Sequence, residues 1–253
     1  MTAEDPTYGE FLRLDTLLSV QRESAEVHDA HFFFTVHQAH ELLFKIILYE
    51  LDAAAGAIAA DDVPRALYCL RRVRAVEDVL VAEVATLETI SPGSFAVLRR
   101  TLAGSSGLQS VQFREIEFRS GLKDPEYLST VRASAAERAR LGRRLAEPSL
   151  WDEFQELRRR RGGPDLAALY RAEIPDGDLL RLAEALLDHD EGVALWRARH
   201  IPMVERVIGQ VHGTGGSAGV AYLRGTAAKR FYPELWRVRA GLFEAGTRPE
   251  PPL

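Results

Sequence analysis

Apolar positions along the chain recur every three to four residues and do not alternate. This pattern predicts helices and gives no sign of a sheet. In residues 8–21, Phe11, Leu14, Leu17 and Leu18 share one stripe and predict a first helix, with Asp5-Pro6 as its upstream stop. A longer helix is predicted over 30–60. Turned at 100° per residue, Phe33, Val36, His37, His40, Phe44, Ile47, Leu48 and Leu51 fall on one face, while Thr35, Gln38, Glu41 and Lys45 fall on the other. Further helices are predicted at 63–89, opened by Asp62 and Pro64, at 94–103, and in a segment that starts as the small-residue loop GSSG at 104 and ends at Gly121. Beyond these, helices are expected at 124–145, 149–161, 165–171 and 177–209, with a Gly-Gly-Pro break at 162–164, and a last one from Pro233. The tail TRPEPPL is expected to be loosely ordered.

This is an all-α reading. No repeat and no linker composition interrupts it, so residues 1–253 are read as a single domain. A hydrophobic content of 46% is enough for a core. The formal net charge of -5 argues against nucleic acid as a partner. The basic run LRRRRGG at 157–163 reads as a solvated helix end before it reads as an anion or RNA contact. Cys69, the one cysteine, cannot close an intrachain disulfide, which fits a reducing, cytoplasmic setting. The acidic N-terminus has no apolar signal core and no segment has a membrane-length apolar run, so a soluble protein without membrane partners is expected.

Histidines carry the candidate chemistry. His37 and His40 share an apolar stripe, and a buried imidazole must hydrogen-bond or ligate something, because an unpaired polar group in a core costs about 1–3 kcal/mol. Each therefore reads either as a core histidine satisfied by a carbonyl or as a site residue. His28, His31, His37 and His40 recur closely, but HQAHE is neither the H-E-x-x-H zinc pattern nor half of a paired E-x-x-H di-iron site. In LWRARHIPMVERVIG, His200 lies among Val193, Trp196, Met203, Val204 and Val207, with Arg197, Arg199, Glu205 and Arg206 off the centre of that face. A neutral nitrogen in such a wall suits either a satisfied core or an axial ligand to haem iron, and Pro202 predicts a kink beside it. The loop GTGGSA at 213–218 matches the loose dinucleotide fingerprint but follows a helix, so it reads as a turn or as a loop able to close over a polar group through Thr214 and Ser217. Arg114, in QFREIEF, either snorkels to pair with an acid or clamps a carboxylate.

The segments YGEFLRLDTLLSVQ, HDAHFFFTVHQAHELLFK, SSGLQSVQFREIEF, LWRARHIPMVERVIG, GTGGSAGVAYL and FYPELWRVR occur in the order found in the tryptophan 2,3-dioxygenase family, which the chain resembles from Tyr8 to Arg239, with a weak interval near 160–185. The resemblance implies a helical-bundle haem domain of the tryptophan and indoleamine dioxygenase type. It implies haem b and O2 as co-substrate, L-tryptophan as substrate, N-formylkynurenine as product, and a homotetramer. It also implies that His200 ligates the iron, with Trp196 and Gly213 at the cofactor. His37 is then the distal histidine that meets the indole N–H, Phe33 packs on the indole ring, Arg114 holds the carboxylate, and Thr214 helps bind the amino acid's polar end. Tyr8 and Phe11, within an N-terminal segment of about 1–20, are expected to reach a neighbouring subunit's pocket.

The chain departs from the family pattern at Leu43, Ala30, Leu108 and Pro202, and it is shorter than typical members ahead of LWRARH. Two other functions share these residues: a haem monooxygenase adding one oxygen to a tryptophan derivative or other aromatic amino acid, and a non-catalytic haem or tryptophan sensor.

Overall fold

The structure is a computed structural model that describes residues 5–21, 27–102, 104, 107–163, 165–171, 177–209, 211 and 219–246, excepting the side chains of 108 and 244–246. Among these residues all regular structure is helical and there is no strand. The helices run α1 Tyr8–Leu12, α2 Leu14–Leu18, α3 His28–Ala59, α4 Val63–Leu87, α5 Pro92–Thr101, α6 Val111–Ser120, α7 Tyr127–Thr130, α8 Ala135–Ala146, α9 Leu150–Arg160, α10 Leu166–Tyr170, α11 Asp178–Ile208, α12 Val220–Ala227 and α13 Pro233–Gly246. No helix among the described residues is long and apolar enough to cross a membrane.

Three long helices form the frame: α4 packs against both α3 and α11, α6 and α9 lie on α3, and α12 lies on α11. Leu51, Ile58, Leu70, Leu182 and Leu186, from all three frame helices, are fully buried in the main core. A smaller cluster of Val36, Val84, Leu87, Met203 and Val207 fills the opposite end of the same bundle. Asp62 caps α4 by accepting from the Arg65 backbone N–H at 3.1 Å, as the sequence predicts.

Two predicted helices are broken. Residues 8–21 divide at Arg13, whose left-handed backbone (φ 54°) closes α1 and opens α2. Residues 124–145 divide where Val131 turns extended and Ser134 forms a capping box with Glu137 at the start of α8. Ser91 caps α5 with Pro92 in its first turn, two residues ahead of the predicted start. By contrast α11 continues through Pro202 to Ile208.

The basic run is accounted for within the chain. Arg160 donates to the Ala59 carbonyl at 2.9 Å and the Ile58 carbonyl at 3.1 Å, satisfying the open end of α3, and Arg161 pairs with Asp61 and Asp178. Two buried polar groups lock α11 to its neighbours. Asp190 accepts from the backbone N–H groups of Phe231 (2.9 Å) and Tyr232 (3.0 Å) and from the Trp236 indole N–H (2.9 Å), which ties α13 to α11. His189 meets Glu77 of α4 at 2.6 Å through Nδ1 and Ser120 of α6 at 2.8 Å through Nε2.

Candidate functional site

The same spacing appears on two facing helices. Phe33, His37, His40 and Phe44 on α3, and Trp196, His200, Met203 and Val207 on α11, each repeat at i, i+4, i+7 and i+11, so each set makes one straight stripe. Both stripes border a cavity of about 270 Å³. Its third wall is α6, with Phe113, Arg114 and Glu117, started by Ser110, whose hydroxyl accepts from the Phe113 N–H at 3.1 Å. Tyr222 and Thr226 on α12 and Phe95 on α5 complete it.

The three imidazoles on this cavity are fixed by one device. Nδ1 of His37 lies 2.8 Å from the Phe33 carbonyl, Nδ1 of His40 lies 3.0 Å from that of Val36, and Nδ1 of His200 lies 2.9 Å from that of Trp196. A carbonyl only accepts, so Nδ1 donates in each ring, and the Glu83 carboxylate also lies 3.7 Å from His40 Nδ1. Burial pulls His200 down to about 4, the Trp196 carbonyl opposing it and His40 and His37 adding to it. Burial likewise lowers His37, again opposed by its carbonyl partner. Near neutral pH both rings are uncharged nitrogen donors in an apolar setting. His40 is buried, and its Nε2 has no hydrogen-bond partner.

Aromatic rings enclose the space. Phe33 lies 4.0 Å from the His37 ring centroid to centroid, and Trp196 lies 4.2 Å from His200 and 4.7 Å from Phe113. The Trp196 indole Nε1 is buried without a partner. Arg114 is 8% exposed, lies over the Tyr127 ring at 4.6 Å, and pairs with Glu117 one turn along its own helix. Its Nε is buried with no partner. Glu117 also accepts from Arg197 at 2.6 Å.

Of the residues singled out from sequence, Phe33, His37, Arg114, Trp196 and His200 come together on this cavity. Tyr8 and Phe11 do not border it: they are 76% and 74% exposed on α1. Gly213, Thr214 and Ser217 lie outside the described residues. His28 and His31 occupy the first turn of α3.

Two expectations are corrected. Glu41, assigned to the polar side of its helix, borders the cavity, where its backbone carbonyl and carboxylate accept from Gln112 at 2.9 and 2.7 Å. Arg197, assigned off the centre of its face, is buried at 4% exposure because Glu117 neutralises it and the Lys229 carbonyl accepts from it at 3.1 Å. Glu117 was not singled out at all, although its i, i+3 spacing from Arg114 is a signal for a pair. Tyr222 and Thr226 share one face of α12, and that spacing alone did not mark them.

A family model described as tryptophan 2,3-dioxygenase matches residues 2–162 and 159–242. A protein of that description from Nocardioides sp. is 44% identical over 252 residues, covering 93% of this chain and 94% of the relative. Those from Herpetosiphon aurantiacus and Exiguobacterium sibiricum are 40% and 39% identical, covering 93% and 94% of this chain and 98% and 94% of their own lengths. The chain and these relatives match each other over nearly their full lengths.

Proposed function

The chain belongs to the tryptophan 2,3-dioxygenase family, and from that membership we propose that His200, His37, Phe33 and Arg114 divide between them the binding of haem and of L-tryptophan. Tryptophan dioxygenase activity is the function of this chain, and similarity running over nearly its whole length favours it over the monooxygenase and sensor readings. The family is haem-dependent and uses O2. In the reaction both atoms of one O2 enter L-tryptophan, the indole C2=C3 bond breaks, and N-formylkynurenine forms.

The pocket suits haem b on three counts: the Nε2 lone pair of a neutral His200, the mostly aromatic and aliphatic walls, and the buried Trp196 indole N–H that lacks an acceptor. His200 would hold the iron, with Trp196 and Gly213 beside the cofactor. Bound there, haem iron supplies the activation of O2. The remaining work belongs to side chains that bind, orient and exclude water. Arg114 takes the substrate carboxylate in a low-dielectric wall, where a charge-assisted pair is strong. Thr214 adds a hydroxyl at the polar end of the amino acid. Phe33 packs on the indole ring. The indole nitrogen only donates and His37 Nε2 only accepts, because its Nδ1 proton is committed to the Phe33 carbonyl, so the two are complementary.

The convergence of His37, Arg114 and His200 from three helices on one cavity is what carries this reading. Its test is to reconstitute the protein with haem, reduce it, supply L-tryptophan and labelled O2, and measure the product mass. Two labelled oxygens are expected, and one, or none, overturns it. We further propose a homotetramer in which the exposed Tyr8 and Phe11 of α1 seat in a neighbouring subunit's pocket. A monomeric mass in solution, or unchanged assembly and affinity in Phe11→Ser, overturns that arrangement.

A further inference from the structure

Three charged side chains on the cavity wall form one buried chain. Glu117 bridges two arginines: one carboxylate oxygen pairs with Arg114 Nη1 and the other with Arg197 Nη2, the latter at 2.6 Å. All three side chains are at most 9% exposed. Arg197 is further fixed by the Lys229 carbonyl at 3.1 Å, and Arg114 by the Tyr127 ring beneath it. Two guanidinium groups share the Glu117 carboxylate, and the Asp190 carboxylate also favours the charged form of Arg197. Two cations on one shared anion favour a further anionic group beside Arg114. Burial lowers Arg197 despite Glu117, whereas Arg114 stays raised against burial by Glu117 and nearby tyrosines. The shared carboxylate thus does not fully offset both.

We propose that Glu117, itself held by Arg197, is a positioning residue that sets the Arg114 guanidinium toward the substrate carboxylate and so enforces selection of a carboxylate-bearing indole. The geometry supports this in two ways. Glu117 takes Nη1 of Arg114, a residue that borders the cavity, and so fixes the guanidinium at one corner. Arg197 stands three residues before His200 on α11, so the bridge holds the α6 clamp in register with the helix that carries His200. The inference rests on the reading of Arg114 as the carboxylate clamp.

Titration calorimetry on the haem-loaded protein, comparing L-tryptophan with tryptamine, which lacks the carboxylate, tests it. In the parent, L-tryptophan binds more tightly. Glu117→Gln should weaken L-tryptophan about tenfold, leave tryptamine within about twofold, and raise KM more than it lowers kcat. Arg197→Lys, which keeps the charge but not the fork, should shift the ratio the same way by about threefold, and it stands alone as the test if Glu117→Gln does not fold. Equal losses for both ligands, or no change for either, mark a purely structural bridge and overturn the inference. A parent protein that does not distinguish the ligands overturns the clamp itself, a different failure from a parent that does and a variant that keeps the distinction.

Discussion

The Glu77 carboxylate occupies the space where a side chain on Gly192 would stand: a Cβ built on Gly192 falls inside van der Waals contact of Glu77 and 2.9 Å from Arg74 Nη1. The backbone of α11 is in ordinary helical geometry here, so glycine is needed for closeness and not for an unusual φ. The gap admits the acid that binds His189, and through it Ser120 at the end of α6.

Gly192→Ala is therefore expected to lower stability by about 3 kcal/mol, through overpacking and displacement of a paired buried acid. Thermal or denaturant unfolding measures it. Glu77→Ala in the same chain should recover part of the loss, giving a coupling above about 1 kcal/mol. Additive effects would mean that the two groups do not compete for space.

Arg114→Ala should weaken L-tryptophan binding by about 2–5 kcal/mol, because the substrate carboxylate then loses its buried cationic partner while Glu117 stays paired with Arg197. Calorimetry checks it, and unchanged affinity rules out the carboxylate role.

His200→Ala should abolish stable haem uptake, read as loss of the haem absorbance after gel filtration. His37→Ala should keep the haem and lower kcat/KM by about tenfold, the worth of one well-placed hydrogen bond. Haem lost equally from both variants would mean that the two histidines do not divide the roles as proposed.

Ser149 and Asp152 close the N-terminus of α9 with reciprocal hydrogen bonds. Partial burial pushes the Asp152 carboxyl up, but the Ser149 backbone N–H at 2.8 Å and hydroxyl at 2.7 Å, with Lys123 nearby, hold it below its ordinary value. A depressed folded value gives stability that is present above the unfolded value near ~4 and is lost as pH falls through the folded one. Asp152→Asn should cost about 0.5 kcal/mol at pH 7, a small figure because the carboxylate is largely exposed. The gap between parent and variant should close below pH ~4, and a gap independent of pH would contradict the linkage.

The three frame helices were legible in the chain because a long apolar stripe at period 3.6 survives any single interruption. The break at Arg13 was not, since a left-handed non-glycine residue leaves no local signature. The break before α8 was written in the chain as Ser134 followed three residues later by Glu137, but the flanking helix-like pattern ran over it. In the site, the stripes exposed His37 and His200, while their roles and that of Arg114 came from the resemblance. The burial of Arg197 and the Glu77 to His189 pair stayed hidden for one reason. A charge on a helix reads as solvent-facing until its counter-charge, 80 or 112 residues away, is brought alongside.

His37 and His200 each take their proton assignment from a carbonyl one turn back on their own helix. The histidines are thus portable parts. Moved one turn along the stripe, or grafted onto another buried helix, each would bring its own tautomer with it. A designer who wants a neutral nitrogen aimed into a dry cavity needs only an unbroken turn of helix beneath the ring, and drift along either stripe can relocate a ligand without rebuilding its surroundings.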